Sequence, residues 1–188
     1  MGFTRAELES FRGAEVPDLI GAGPKLVFVG INPGLWTAAT QSHFAHPANR
    51  FYPALHLAGI TPTPIDPARG MSDADRRMMV SLGIGITNVV RRATARADEL
   101  TREELRAGAL ELESFVRRHQ PRVVAIAGIT AYRTAFSKPK ARVGIQPEPL
   151  AGATLWIVPN PSGLNAHETI ASLATAYTAP ARAAGVIV

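Results

Sequence analysis

An asparagine stands where an apolar run of strand character stops. Residues 27–36 read VFVGINPGLW, and the run ends at Asn32, Pro33 and Gly34. An asparagine amide can hold a water through its carbonyl oxygen while its NH2 group donates elsewhere. It therefore orients a nucleophilic water without deprotonating it, which suffices only where the leaving group departs readily. A plain turn is the competing interpretation of Asn-Pro-Gly.

The residues around this asparagine limit the chemistry. No Asp or Glu occurs in residues 19–65, so a local carboxylate base is lacking. Cysteine is absent, which excludes disulfides, thiolate nucleophiles and cysteine-ligated zinc or iron–sulfur sites. His43 and His46 form a His-x-x-His pair, which is a poor metal site without a third ligand. We therefore expect no metal and no cofactor.

A second Asn-Pro segment repeats the pattern farther along the chain. Asn160-Pro161-Ser162-Gly163 follows another apolar run, and Leu164 comes next. Leu164 lies in a predicted turn, where burial does not readily explain an aliphatic side chain. Its role is therefore a question that the local pattern leaves open.

Four apolar, β-branched runs predict strands over 25–31, 84–90, 122–127 and 154–158. Helical patterns at 51–58, 72–82, 101–119 and 129–137 alternate with them, and Thr101 with Glu104 is a capping-box start. Asn165 with Glu168 is a second cap signal, so we expect the last helix to begin there. The alternation predicts an α/β three-layer sandwich with a short, mainly parallel central sheet. Both Asn-Pro segments fall at carboxyl ends of its strands, where ligands bind.

Length and charge set the class of protein. The 188 residues, 46% apolar, suit one domain spanning 1–188. We expect a soluble, cytoplasmic protein, because no signal-peptide pattern and no membrane-length apolar run is present. The net charge of +5 is carried by 17 Arg against three Lys. Arginine suits phosphate recognition, but arginine-rich composition also arises from base bias, so charge alone does not identify the partner.

Four ordered motifs carry a resemblance to a known family. They read GINPGL at 30–35, HFAHPANRFY at 43–52, GIGITNVV at 83–90 and NPSGLN at 160–165. In this order they resemble the mismatch-specific uracil and thymine DNA glycosylases of the uracil-DNA glycosylase superfamily, over about residues 25–177. The resemblance implies a uracil-DNA glycosylase-like fold. It also implies a hydrolase of base excision repair that flips deoxyuridine out of the duplex and leaves an abasic site.

The resemblance implies a role for each base-binding position. Asn32 would position the water, and Phe44 would stack on the base. Backbone groups near Ile31 and Phe44 would read the uracil edge, and Asn88 would contact the pyrimidine. The remaining residues that we place with this base-binding group are His43 and Thr37.

The resemblance also implies how the second Asn-Pro segment meets DNA. Leu164 would be the wedge that fills the hole left by the flipped base, and Gly163 would let the backbone approach the orphaned guanine. A helix beginning at Asn165 would offer its N-terminal amides to a phosphate. We expect the enzyme to be associated with the nucleoid when it is bound to DNA. Asn160, Ser162 and Asn165 complete the predicted contacts to the orphan strand.

Two positions depart from the family pattern. Bacterial relatives continue the wedge loop with an arginine that helps to hold the orphan guanine, whereas Ala166 stands in that part of this chain. The relatives usually have an acidic residue where this chain has Arg91, which adds positive charge near the expected DNA face. The strictness for guanine and the range of bases excised therefore stay open.

We predict a monofunctional glycosylase that acts as a monomer on double-stranded DNA containing uracil, preferentially in G·U mismatches, or other damaged pyrimidines. Lyase activity usually needs an amine, and Lys25, Lys138 and Lys140 lie outside the motifs. The alternative of another class is a noncatalytic DNA-binding and base-sensing module of the same fold. A nucleotide-binding or hydrolase domain is less favoured, because a P-loop lysine and a G-x-G-x-x-G run are both missing.

Overall fold

A five-stranded sheet forms the middle layer of the protein. The computed structural model describes residues 2–188, and its strands are β1 (Leu26–Gly30), β2 (Ile84–Asn88), β3 (Val123–Ala127), β4 (Gly144–Ile145) and β5 (Thr154–Val158). Their order is β2-β1-β3-β5-β4, with the first four parallel and β4 antiparallel at one edge. This confirms the predicted α/β fold. Strand β4 was not predicted, because two residues are too few for an alternating pattern.

Helices cover both faces of the sheet. They are α1 (Arg5–Glu9), α2 (Leu35–Thr40), α3 (Phe51–Leu57), α4 (Asp73–Ser81), α5 (Arg102–His119), α6 (Ile129–Ala135) and α7 (Ile170–Ala184). Buried residues of α3, α4 and α7 pack on one face, and those of α5 and α6 pack on the other. The predicted helices α3 to α6 are confirmed to within two residues at each end. None of the helices in residues 2–188 has the length and apolar character needed to cross a bilayer.

The predicted start of the last helix is wrong. Helix α7 begins at Ile170, and its N-cap is Thr169, whose hydroxyl accepts a hydrogen bond from the Ser172 amide at 3.1 Å. Asn165 is instead used inside the preceding loop, where its Nδ2 donates to the Asn160 carbonyl at 3.0 Å. Two cap signals thus stand four residues apart, and the second one starts the helix. The expected phosphate site on helix amides at Asn165 is therefore not formed.

Strand β1 is buried on both sides, which is why its run is nearly continuous in apolar character. Leu26 and Phe28 belong to the core beneath α3, α4 and α7, whereas Val27 and Val29 belong to the core beneath α5. All four side chains are fully buried. The strand is therefore held from both faces, and the residues that follow Gly30 start from a fixed point.

Helix α5 approaches the end of β2 closely at one glycine. A Cβ atom on Gly108 would overlap the carbonyl oxygen of Val89, the residue that follows β2. The Val89 amide in turn donates to the Gly30 carbonyl at 2.9 Å. The absence of a side chain at Gly108 therefore lets α5 pack against the segment that carries the ends of β1 and β2.

We predict that Gly108→Ala destabilises the protein, although alanine is the better helix former. Intrinsic propensity alone would stabilise the variant by about 1 kcal/mol, but the added methyl group must displace the Val89 backbone. Urea unfolding measures the effect. Ala107→Gly, at an exposed neighbouring position of α5, calibrates the propensity contribution. A Gly108→Ala protein more stable than the parent would contradict the packing described here.

Candidate active site

The carboxyl edge of the sheet gathers all four sequence motifs. Gly30 pairs with Asn88 in the parallel register of β1 and β2. A Cβ on Gly128, at the end of β3, would lie 3.1 Å from the Ile31 side chain and 3.9 Å from Asn160 Nδ2. The ends of β1, β2, β3 and β5 therefore meet at one place, as expected for ligand sites of parallel sheets.

Asn32 lies half-buried just past β1 with a fixed amide. Its Nδ2 donates to the Arg92 carbonyl at 3.0 Å and to the Thr94 hydroxyl at 2.7 Å. Its Oδ1 has no hydrogen-bond partner within residues 2–188. Because both N–H groups are engaged, the carbonyl oxygen is the part of the amide left to accept a hydrogen bond from a water.

The segment that holds Asn32 is itself anchored to α5. Arg92 donates through its guanidinium to the Glu104 carboxylate, which also closes the capping box with Thr101. Chiefly because of the Arg92 hydrogen bond, the pKa of Glu104 falls to about 2. The carboxylate therefore stays ionised at any pH near neutral, and the Arg92 carbonyl keeps its position beneath Asn32.

Phe44 presents its ring from a strained backbone position. Its φ is 55°, in the left-handed region that is uncommon for a bulky residue. The ring stacks on Phe51 with centroids 4.2 Å apart and an interplanar angle of 28°. Phe51 is fully buried in the core. One face of the Phe44 ring is therefore supported by a rigid aromatic ring. A left-handed backbone angle at a bulky residue, as at Phe44, is typical of ligand clamps.

Gly30 separates Phe44 from Asn88. A Cβ atom at Gly30 would overlap Asn88 Oδ1 and would lie 3.3 Å from Phe44 Cζ. The end of an aromatic ring and an amide oxygen thus both lie against a residue without a side chain. This is the combination needed to hold a flat heterocycle, with the ring giving stacking and the amide giving an edge contact.

His43 sets the direction of the Asn88 amide. It is buried, and its Nε2 lies 2.9 Å from the Pro17 carbonyl, which can only accept. Nε2 therefore carries the proton, and Nδ1 is the acceptor for the Asn88 Nδ2 group at 3.2 Å. This leaves Asn88 Oδ1 turned toward Gly30. Both His43 nitrogens are engaged by protein groups, so the predicted base-binding role of His43 would have to act through Asn88.

Burial keeps His43 neutral. Its pKa is lowered mainly by desolvation, which the hydrogen bond to the Pro17 carbonyl and the nearby Asp18 charge oppose. A second proton would also need Nδ1, the atom that accepts from Asn88. Protonation of His43 would therefore break the contact that orients the Asn88 amide.

The loop after β5 carries the expected wedge. Leu164 is 85% exposed, and its amide donates to the Ser162 hydroxyl at 3.3 Å. The Ser162 amide donates to Asn160 Oδ1 at 3.0 Å. Local side chains thus shape the turn, and an aliphatic side chain stands in solvent at its tip. A Cβ on Gly163 would lie 2.8 Å from Ala48, so this glycine is required by protein packing as well.

Two expectations about charge and position change with the structure. Arg91 donates to the Asp18 carboxylate at 2.9 Å, so its charge is balanced and does not simply add to a DNA face. Asp18 also accepts from the Thr87 hydroxyl at 2.6 Å. Thr37 is buried in α2, and its carbonyl accepts from the Ser42 amide at 3.2 Å. The contacts of Thr37 are thus those of a residue that shapes the loop leading to His43.

Two positioning residues were missed by sequence reasoning. Thr94 is 1% exposed and holds Asn32 from 62 positions away in sequence. Arg50 donates to three carbonyls of the loop after β5 (residues 160–169), more than 110 positions away. Thr94 has no local pattern that marks it. Arg50 lies inside the HFAHPANRFY motif, where a charged residue at the start of an apolar helix was the available signal.

The burial of His43 predicts a pH dependence of stability. Its pKa is lowered in the folded protein, so below about pH 6.5 the unfolded chain binds a proton that the native protein does not. The contribution of neutral His43 to the free energy of unfolding is fully present above that pH. It decreases as the pH falls further, by at most about 1.4 kcal/mol per pH unit. Urea unfolding between about pH 7 and pH 5 should show a weaker loss for His43→Gln than for the parent. His46→Gln, at an exposed histidine, controls for the removal of one histidine, and equal slopes for the parent and His43→Gln would contradict the assignment.

Comparison with known proteins agrees with this fold. Residues 17–179 match the family model of the Uracil DNA glycosylase superfamily. Among solved structures, the chain is similar to the solution NMR structure of a candidate uracil DNA glycosylase from Methanosarcina acetivorans. The TM-score is 0.58 at 14% identity, covering 90% of this chain and 97% of that chain, a likeness that shows the fold. Because the family match spans most of the sequence, the protein belongs to the uracil DNA glycosylase superfamily.

Proposed function

We propose that the protein is a monofunctional DNA glycosylase that hydrolyses the N-glycosidic bond of a flipped uracil, preferentially opposite guanine. A water held by Asn32 is the nucleophile. The observation that carries the proposal is the Asn32 amide, whose N–H groups are engaged at 3.0 and 2.7 Å. Its Oδ1 is left to accept from that water, in a chain whose superfamily is named for this chemistry.

A neutral amide suits this reaction because uracil departs as a stabilised anion. The negative charge spreads over two carbonyl groups of the base, so bond cleavage runs ahead of nucleophilic attack. The sugar then carries positive charge, which nearby DNA phosphates stabilise. A water needs only to be placed beneath the anomeric carbon, and Asn32 gives it position without removing its proton.

Phe44 and Asn88 supply the selection of the base. Uracil presents N3–H as a donor between two carbonyl acceptors. Asn88 Oδ1, turned toward Gly30 by the His43 contact, accepts such an N–H, while the Phe44 ring stacks on the base face. Cytosine presents an unprotonated N3 at the same point, so an acceptor would face an acceptor. Sites of this kind discriminate strongly, because a mismatched group leaves a buried polar atom unpaired.

The positions of the lysines support hydrolysis without lyase activity. Lys25 precedes β1, so the length of that strand, roughly 16 Å at 3.3 Å per residue, separates it from the Asn32 end. Its Nζ is directed to the Gly185 carbonyl at 3.4 Å. Lys138 pairs with Glu148 at 2.6 Å. Lys25 is therefore directed away from the Asn32 end of β1, and the Lys138 amine is engaged by a carboxylate, which supports hydrolysis without a Schiff base on the sugar.

Preference for guanine opposite rests on the wedge loop. Leu164 is exposed at its tip and can fill the space of the flipped nucleotide. The chain lacks the arginine that bacterial relatives use here, so recognition of guanine falls to backbone groups beside Gly163. We therefore propose a preference for G·U pairs that is weaker than an arginine would give.

Base release from four matched oligonucleotides tests the proposal. The substrates carry U opposite G, U opposite A, T opposite G, or U in a single strand, and alkali reveals the abasic sites. We expect the fastest release from U opposite G and no strand cleavage before alkali. Equal release from all uracil substrates would support hydrolysis of the N-glycosidic bond and contradict the mismatch preference. A folded protein that binds DNA and releases no base would instead be a base-sensing module.

Asn32→Ala is the matched variant in the same assay. It removes the group that holds the water, and we expect release from every uracil substrate to fall by about 10²- to 10³-fold, the scale for losing one positioned group in a reaction centre. Circular dichroism and urea unfolding show whether the variant is folded. Undiminished release by folded Asn32→Ala would contradict the role given to this residue.

A further inference from the structure

Arg50 connects the motif that carries Phe44 with the loop that carries Leu164. Its guanidinium donates to the carbonyls of Ser162 at 2.5 Å, of Asn165 at 2.7 Å and of Glu168. Its backbone amide donates to the Pro161 carbonyl at 3.0 Å. The accepting carbonyls lie on both sides of Leu164 in sequence. One side chain therefore fixes the entry and the exit of the wedge turn.

An arginine is suited to this arrangement. Its planar group offers five N–H donors in a rigid fork, whereas lysine offers one compact charge. The Arg50 side chain is half-buried, and its Nε atom is fully buried without a partner within residues 2–188. The charged group is thus partly removed from water, and backbone carbonyls of the loop compensate for that loss. The contacts to the loop are therefore stronger than those of a solvated surface arginine.

The loop has little else to hold it. Residues 160–169 contain no helix or strand, and most of their other hydrogen bonds are between near neighbours, such as the Asn165 Nδ2 bond to Asn160. Gly163 rests against Ala48, which belongs to the same motif as Arg50. Without the guanidinium, the turn would keep its local bonds and lose its main tertiary attachment. Ordering it would then cost conformational entropy when DNA binds.

We infer that Arg50 is a positioning residue for insertion of the wedge: it holds the wedge loop (residues 160–169) in the shape that inserts Leu164 into a duplex. This inference rests on the proposed function and deepens it, because it assigns Arg50 to base extraction and leaves hydrolysis to Asn32. Uracil in a single strand needs no wedge, since no partner base must be replaced. Arg50 therefore matters for duplex substrates and is dispensable for single-stranded ones.

Comparison of duplex and single-stranded substrates tests this directly. We expect Arg50→Met to lower uracil release from the G·U duplex by about 10- to 100-fold and to leave single-stranded release within about twofold. Arg50→Lys should behave like Arg50→Met, because one ammonium cannot bridge three carbonyls. Arg77→Met, at an exposed arginine of α4, controls for the loss of one positive charge. Equal losses on both substrates would indicate a general structural role and would overturn the inference.

A double-variant cycle separates positioning from independent DNA contact. If Arg50 acts through Leu164, then Arg50→Met adds little to the loss already caused by Leu164→Ala on the duplex. If the fold-loss of the double variant instead equals the product of the two single losses, Arg50 acts on DNA by another route, which would also overturn the inference.

A readout without substrate keeps the test independent of the proposed function. Amide hydrogen exchange in the free protein should become at least about tenfold faster over residues 162–168 in Arg50→Met and stay unchanged in the sheet. Unchanged exchange in the loop would overturn the positioning role, even if the parent protein released no base. Absence of base release by the parent, with faster loop exchange in the variant, would refute the proposed function and support the loop attachment.

Discussion

The Asn32 amide donates to the Arg92 carbonyl and to the Thr94 hydroxyl, and the chemistry proposed for the site depends on these two bonds. They leave the amide oxygen as the free end of the group, and they fix it at the end of a strand buried on both faces. A freely rotating asparagine would present its NH2 group as often as its oxygen. In the proposed reaction the protein thus provides orientation in place of a general base, which is sufficient where the leaving group is stable as an anion.

The same principle orients the second amide of the site. Asn88 donates to His43 Nδ1, and the Pro17 carbonyl fixes the histidine tautomer. Each amide therefore has its donor side engaged by protein, which leaves Asn32 Oδ1 for the proposed water and Asn88 Oδ1 for the proposed base contact. Preorganised groups of this kind need no rearrangement during the reaction, so their contribution is not reduced by the cost of ordering them.

Much of this could be predicted from the sequence, and the reasons are local. Strand β1 is a continuous apolar run, and α5 begins at the Thr101 capping box, so both elements follow from short-range pattern. Asn32, Phe44 and Leu164 stand in ordered motifs, which is why their roles could be hypothesised. The start of α7 was wrong because Asn165 and Thr169 are both good caps, and only the tertiary use of Asn165 decides between them.

What the sequence could not provide is the set of contacts between distant segments. Thr94 meets Asn32, and Arg50 meets the wedge loop, through folding of elements that share no local pattern. The pairing of Arg91 with Asp18 is of the same kind, and it removes the free charge that the sequence suggested. Long-range polar contacts depend on side-chain direction at the edge of the sheet, which composition and periodicity do not encode.

A crystal structure of the protein on a duplex with 2′-fluoro-deoxyuridine opposite guanine would show which residue holds the attacking water. The fluorine destabilises positive charge on the sugar, so the glycosidic bond survives. We predict an extrahelical uracil stacked on Phe44, with its N3–H on Asn88 Oδ1 and a water on Asn32 Oδ1 beneath the anomeric carbon. A flipped uracil with that water held by another residue, or with Asn32 turned away from the sugar, would contradict it.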